Sequence, residues 1–410
     1  MKRLPLWRMA WRNVWRNRRR SAITVAAMAS AAGFIVWFAA FSEGFSEKLA
    51  DDAVKSGLGH AAVEPAGFEK NPEVKKYLAN PAPVERALNE TADVEAWAPR
   101  VEMRGLASSS ENSMGAVVYG VDPRRERGTS VWPRRVTEGR FIREPDEAGV
   151  VIGYKMAEVL NVEIGDMVGV TVQNLDGDIA AEAYELVGLL RMGNPDFDNG
   201  AVMLPLGQTQ HLLGYGDGYN KAVVMAQSRN DVDAVRDALE ARVPPGVEVL
   251  TWYEVSPQAY QYYQMMVGMM TFMLLLLILL ASLGTTNTIL MSVLERVREF
   301  GVMASLGLRP WQVFRLVTYE ATVLSVLGAA MGLAVGGLAA WINTIYGADL
   351  GTWSSSVGMM GFLDPIVTFV MRPSHFVAAA VTVLIVGLLS AIYPGVKAAR
   401  LRPIEAMRHV

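Results

Sequence analysis

The chain has 410 residues, 51% of them hydrophobic and 19% charged, with a mean hydropathy of +0.22. That is too apolar for an ordinary soluble enzyme and too charged for a protein wholly in lipid, so a membrane part and a water-soluble part are expected. The formal charge of −3 conceals a strong segregation along the chain, and the absence of cysteine excludes disulfides, thiolate metal sites and a cysteine nucleophile without identifying a compartment.

Eight basic residues and no acidic one precede Glu43, so the N-terminus is strongly cationic. Within it Trp7, Trp11 and Trp15 recur every fourth residue, with Arg8, Arg12 and Arg16 one place behind. This is the pattern of an interfacial helix over residues 1–20, indoles at headgroup depth and guanidinium groups towards anionic lipid. It reads equally as a passive anchor or as a moving elbow.

The stretch 21–42 is uncharged and about 30 Å long as a helix, the thickness of a bilayer's hydrocarbon core. Three further spans are predicted at 265–294, 316–345 and 376–394, the second longer than a bilayer requires. A cleaved signal peptide is the alternative reading of the first stretch, and it would remove the span that an even topology needs. Residues 43–264 hold 35 acidic against 21 basic residues, whereas the 295–315 connection and the 395–410 tail are basic. The positive-inside rule therefore puts both termini and the 295–315 connection in the cytoplasm, with residues 43–264 and the loop 346–375 outside.

In the acidic segment, 60–64, 115–121, 167–173, 184–190 and 221–226 have strand patterns, and 154–160 and 231–243 have helical spacing. Asp176-Gly177 reads as a hairpin turn. Phe45, Leu49 and Val54 extend a helical face past the first span as far as Gly57 and Gly59, so a helical stalk entering the domain is expected. The fold class is an integral membrane protein of four transmembrane helices, with a large mixed α/β domain inserted between helices 1 and 2.

Motifs for chemistry are missing. No G-x-x-x-x-G-K-[ST] run occurs, so the backbone cradle and lysine that hold nucleotide phosphates are not encoded, and any ATP belongs to a partner. His60, His211, His375 and His409 lie in no H-E-x-x-H arrangement, so no metal site is expected, and Asp176 and Asp178 read as a solvated turn. No enzymatic activity and no nucleic-acid partner are expected of this chain.

The run Glu-Arg-Val-Arg-Glu-Phe-Gly-Val-Met-Ala-Ser-Leu-Gly-Leu-Arg-Pro at 295–310 places Phe300, Met303 and Leu306 at one-sided helical spacing among charges. Such a helix either inserts its apolar side into a groove on another protein or rests on the lipid interface. Gly328, Gly332 and Gly336 have small-xxx-small spacing, which suits close helix packing. Met265, Met266, Met269, Met270 and Met273 gather at the outer end of the second span, as pliable acyl-chain contacts or as lipid-facing filler.

The 295–310 run, followed by a span holding Glu320, resembles the coupling-helix segment of the FtsX/MacB/lipoprotein-releasing class of ABC permeases. The tail Tyr-Pro-Gly-Val-Lys-Ala-Ala-Arg-Leu-Arg-Pro-Ile-Glu-Ala-Met-Arg at 393–408 is similar to that class's terminal motif, and Trp-Arg-Asn-Val-Trp-Arg-Asn-Arg-Arg-Arg at 11–20 to its elbow. The resemblance implies a permease in the bacterial inner membrane that pairs with a second permease, identical or different, and with a cytoplasmic ATPase dimer. That dimer would hold ATP and magnesium and press on a coupling surface formed here by Arg296, Arg298, Glu299, Phe300, Met303, Leu306 and Gly307. The outer domain would then move without a channel opening.

Gly44-Phe45, Gly59-His60 and the run 150–168 look most like the lipoprotein-releasing (LolC/LolE-like) members, which pull acylated proteins from the membrane and pass them to a periplasmic carrier. On that resemblance acyl chains would enter between the first two spans, against Phe41, Phe45 and the five methionines. The hairpin at 174–183 is short, where the carrier-binding subunit has an extended loop. The alternatives are MacB-like export of peptides or small molecules and FtsX-like force transmission to a cell-wall hydrolase.

Overall fold

The structure, a computed structural model, describes residues 6–16, 18–145, 147–227, 232–351 and 365–400. It divides into a helical unit (Met1–Glu47, Gln264–Leu350, Ile366–Val410) and an α/β unit (Lys48–Tyr263, Gly351–Pro365). Helix α1 is Leu6–Arg16, and α2 is Arg18–Ala53, running on through a π-turn, Val54–Leu58.

The α/β unit follows as β1 (Ala61–Pro65), α3 (Ala82–Glu90), β2 (Val94–Ser108), β3 (Ser113–Val121), α4 (Pro123–Thr129), β4 (Val136–Gly139), β5 (Gly149–Gly153) and α5 (Tyr154–Leu160). It continues through β6 (Met167–Gln173), β7 (Ile179–Leu190), α6 (Pro195–Gly200), β8 (Ala201–Pro205), α7 (Leu206–Leu213), β9 (Lys221–Ala226), α8 (Val232–Glu240), β10 (Val247–Thr251) and α9 (Trp252–Val255). The strands run β10-β1-β9-β2-β3-β8-β5-β7-β4, and β6 bonds to both β2 and β7. That double pairing closes β2, β3, β8, β5, β7 and β6 into a ring, made possible by the 15-residue β2, which pairs with β9 along its first half and with β3 and β6 along its second. Side chains alternate across a strand, so Val168, Val170 and Val172 of β6 face the core with Ile152, Leu186 and Val202. Predicted segments 167–173, 154–160 and 221–226 coincide with β6, α5 and β9, while β7 begins five residues before the expected 184 because the hairpin reaches back to Ile179.

The helical unit adds α10 (Pro257–Leu294), α11 (Val297–Ser305), α12 (Pro310–Tyr346), a two-stranded ladder of β11 (Ala348–Asp349) and β12 (Ile366–Val367), and α13 (Pro373–Ala399). The helices Arg18–Leu58, Pro257–Leu294, Pro310–Tyr346 and Pro373–Ala399 are long and apolar enough to cross a membrane. Expected boundaries move, that of the last span included, where α13 covers Pro373–Ala399 against the expected 376–394. Residues 310–315 belong to α12, because Pro310 at its first turn starts the helix early, and α10 begins at Pro257, eight residues before the predicted span. The ends of the expected segments at 1–5, 352–364 and 401–410 lie outside the described residues.

Candidate functional site

Within the helical unit, the 295–310 run forms a short helix braced from behind. Arg296 is 5% exposed, and its Nη1 lies 2.9 and 2.8 Å from the two carboxylate oxygens of Glu320 on α12. Its Nε donates to Glu299 at 2.6 Å, Arg16 of α1 also binds Glu299, and Asn13 Nδ2 donates to Glu320 at 2.6 Å. One polar network thus ties α1, α11 and α12 together. Burial alone would raise the Glu299 carboxyl, but the hydrogen bond from Arg296 and the charges of Arg296, Arg16 and Arg20 outweigh it and hold it below its ordinary value. Beneath the network, Phe300 packs with Ala10, Val293, Val313, Leu316, Val317 and Ala398.

Not all of the expected coupling residues face outward. Phe300 is 2% exposed and Met303 is half-buried against the same cluster, so the spacing that looked like an outward apolar face is mostly the side that seats α11 on its own chain. Arg296 likewise serves Glu320. Leu306 is 78% exposed, and Arg298, Glu299 and Val302 also face out. Gly307, at φ +93°, ends the helix: its N–H bonds to Ala304 at 3.0 Å and that of Leu308 to Met303 at 3.1 Å, a Schellman closure that leaves Leu306 projecting.

The three glycines of α12 form a contact face. A Cβ on Gly328 would lie 2.5 Å from Met28 Cβ, on Gly332 2.3 Å from the Ala29 carbonyl, and on Gly336 2.3 Å from the Gly33 carbonyl. Their absent side chains let α12 meet α2 backbone to backbone. Of the proposed acyl contacts, Met265, Met269 and Met273 are exposed and Met270 is half-exposed on α10. Met266 and Phe45 are buried, and Phe41 sits in an aromatic run with Trp37, Phe45 and Phe369. Phe45 therefore offers no free surface, because that run packs it. Arg372, at the start of α13, pairs with Glu43 at 2.7 Å and Glu47 at 3.0 Å on α2.

In the α/β unit, the π-turn ends in a built joint that the sequence reading missed. Gly57 has φ +124°, and a Cβ there would meet the Trp132 ring at 2.4 Å. Trp132 Nε1 donates to the Ser56 carbonyl at 2.7 Å, and Arg100 donates to the Gly57 carbonyl while lying over the Trp132 ring at 3.9 Å. Arg100 is itself paired with the fully buried Glu126. Beside it Lys221 sits among three carboxylates, Glu102 at 2.8 Å, Glu69 at 3.0 Å and Glu64 at 3.9 Å. Burial would lower the Lys221 ammonium, but these carboxylates raise it; burial pushes Glu64 up to about 7 despite Lys221. A cavity of about 760 Å³ opens over this cluster, bounded by the end of α2 and the start of α10.

Residues 21–242 match the MacB-like periplasmic core domain family, and residues 271–403 match the FtsX-like permease C-terminal family. The chain belongs to the family of ABC transporter permeases built from these two parts. It is similar to an uncharacterized ABC transporter permease of Methanocaldococcus jannaschii (22% identity, 67% of this chain, 65% of the relative) and to the lipoprotein-releasing system transmembrane protein LolC of Xylella fastidiosa (21%, 76% and 77%). It also resembles the macrolide export ATP-binding/permease protein MacB of Bdellovibrio bacteriovorus at 24% identity, matching 78% of this chain but only 48% of that protein. Against the solved extracellular domain of YknZ from Gram-positive bacteria the TM-score is 0.34, at 16% identity over 46% of this chain and 100% of that domain.

Proposed function

We propose that this chain is the permease subunit of an ATP-driven complex in the bacterial inner membrane that extracts lipoproteins. It works with a second permease and a separate cytoplasmic ATPase dimer that supplies ATP and magnesium. The observation that carries the reading is the braced α11: a projecting Leu306 on a helix locked to α1 and α12 through Arg296 and Glu320 is suited to receive a push and pass it on as a rigid-body shift. Arg298, Glu299, Leu306 and the Gly307 turn would form the ATPase contact, and Met265, Met269 and Met273 the acyl-chain surface. The choice of lipoprotein cargo is supported by alignment with lipoprotein-releasing relatives along most of their length, 77% of LolC and 80% of LolE from Haemophilus influenzae. The short hairpin between Gln173 and Ile179 suits a subunit that does not itself dock the periplasmic carrier.

The test is purification of the permease with its ATPase, followed by mass spectrometry of what it carries. Triacylated protein in the preparation supports the reading. A bound cell-wall hydrolase without lipoprotein would instead favour force transmission, and unlipidated peptides or small molecules would favour MacB-like export.

A further inference from the structure

The cavity over the Lys221 cluster has a composition that the lipoprotein reading does not use. Glu69 and Glu102 share one ammonium, that of Lys221, with Glu64 at 3.9 Å, so the cluster holds more negative than positive charge even when Glu64 is protonated. Arg100 does not redress this, because Glu126 neutralises it in a fully buried pair. Glu69 and Glu102 line the cavity, and the exposed Asp196 adds a further negative charge at its lining. Part of the remaining wall is aromatic: Tyr119 stacks on Phe197 at 5.6 Å, Trp132, with Arg100 over one face of its ring, packs against both, and Tyr262 and Tyr263 close the side formed by α10.

We infer that this cavity binds an organic cation, an ammonium or guanidinium attached to an apolar body. Ring faces attract such a cation and its carbon skeleton together, and the uncompensated carboxylates supply the charge it lacks. A metal ion would fit poorly, since the Lys221 ammonium already occupies the point where the carboxylates converge. The volume, about 760 Å³, suits a drug-sized molecule or a few residues of polypeptide. Because the cavity lies against the Gly57 turn, an occupant would touch the joint between the π-turn and the sheet. The inference does not depend on what the complex extracts.

The full-length protein in nanodiscs is dialysed to equilibrium against benzyltrimethylammonium and against its uncharged isostere neopentylbenzene, with empty nanodiscs subtracted. A parallel arm uses the peptide acetyl-Phe-Arg-Phe-amide and its Phe-Gln-Phe counterpart. The expected result is that at least one cation binds about tenfold more tightly than its neutral partner, with the loss of that preference in Glu102→Gln/Asp196→Asn and weaker binding in Phe197→Ala. A preference in the first arm alone identifies a free small cation as the source, and in the second alone a basic polypeptide segment. Equal binding of cation and neutral partner, no binding in either arm, or a preference unchanged by both variants overturns the inference.

Discussion

Arg296 and Glu320 form a buried ion pair between α11 and α12, one guanidinium nitrogen reaching both carboxylate oxygens at 2.9 and 2.8 Å. At 5% and 10% side-chain exposure the pair has given up most of its hydration, so removing Glu320 leaves the buried Arg296 with only Glu299 as a charged partner, at a cost of about 3 kcal/mol. Glu320→Ala should therefore lower the melting temperature in detergent markedly. Arg296→Met/Glu320→Leu, which removes both charges, should recover most of the loss. A double variant no better than the single one would mean that the network matters for something other than charge pairing.

The glycine face of α12 predicts an asymmetric result. Gly332→Val drives a side chain into the Ala29 carbonyl and should cost roughly 1–3 kcal/mol by overpacking. Gly284→Ala on α10 has open space around its added Cβ and should change stability by no more than about 0.5 kcal/mol. Thermal melts of the two variants check this.

Glu64 links the stability of the α/β unit to pH. Its folded-state value of about 7 stands above the ordinary 4.5, so its neutral form is favoured in the fold. The associated stability is complete below 4.5 and is lost as pH rises from 4.5 through 7. Lys221, Glu69 and Glu102 face it, and Glu248 lies opposite it across the β1–β10 ladder. Glu64→Gln keeps an acceptor for the Glu69 N–H and removes the buried charge, so it should raise stability at pH 8 by up to about 3 kcal/mol and flatten the profile between pH 4.5 and 7. Denaturant melts across that range read the difference.

At the joint, Gly57→Ala must place a side chain at φ +124° and against the Trp132 ring, a double penalty of about 1–3 kcal/mol. Trp132→Phe keeps a ring but loses the hydrogen bond to Ser56, a smaller cost of about 1 kcal/mol. Limited proteolysis of the full chain should show faster cleavage near residues 54–60 in Gly57→Ala than in Trp132→Phe.

Much of this architecture was legible from the amino-acid sequence because hydrophobic length and charge segregation are strong signals. The uncharged runs reported the spans, and Gly57 and Gly59 marked where the stalk helix ends. Strand β2 escaped notice although Arg100, Glu102 and Arg104 alternate with Val101 and Met103, because Pro99 interrupts the run and its polar face is charged; Arg100 and Glu102 carry those charges to pair with Glu126 and Lys221. The 295–310 run was legible as a helix, but spacing alone cannot say whether an apolar stripe faces a partner or its own chain. A signal for the brace did exist, since a carboxylate such as Glu320 in an apolar span calls for a partner. The Trp132, Arg100 and Gly57 joint brings together residues 43 and 75 positions apart from Gly57, and local pattern carries no trace of such contacts.

The most direct measurement is lipoprotein release by the complex in nanodiscs on addition of ATP, comparing the natural permease with Leu306→Asp. Leu306 is exposed, so Leu306→Asp should leave the fold intact, and any effect then reports on the proposed contact with the ATPase. ATP should release triacylated lipoprotein from the natural complex, whereas Leu306→Asp should insert in the membrane normally but fail to retain the ATPase and release nothing. Full release and retained ATPase in Leu306→Asp, or no release by the natural complex under conditions where its ATPase turns over, would contradict the proposed function.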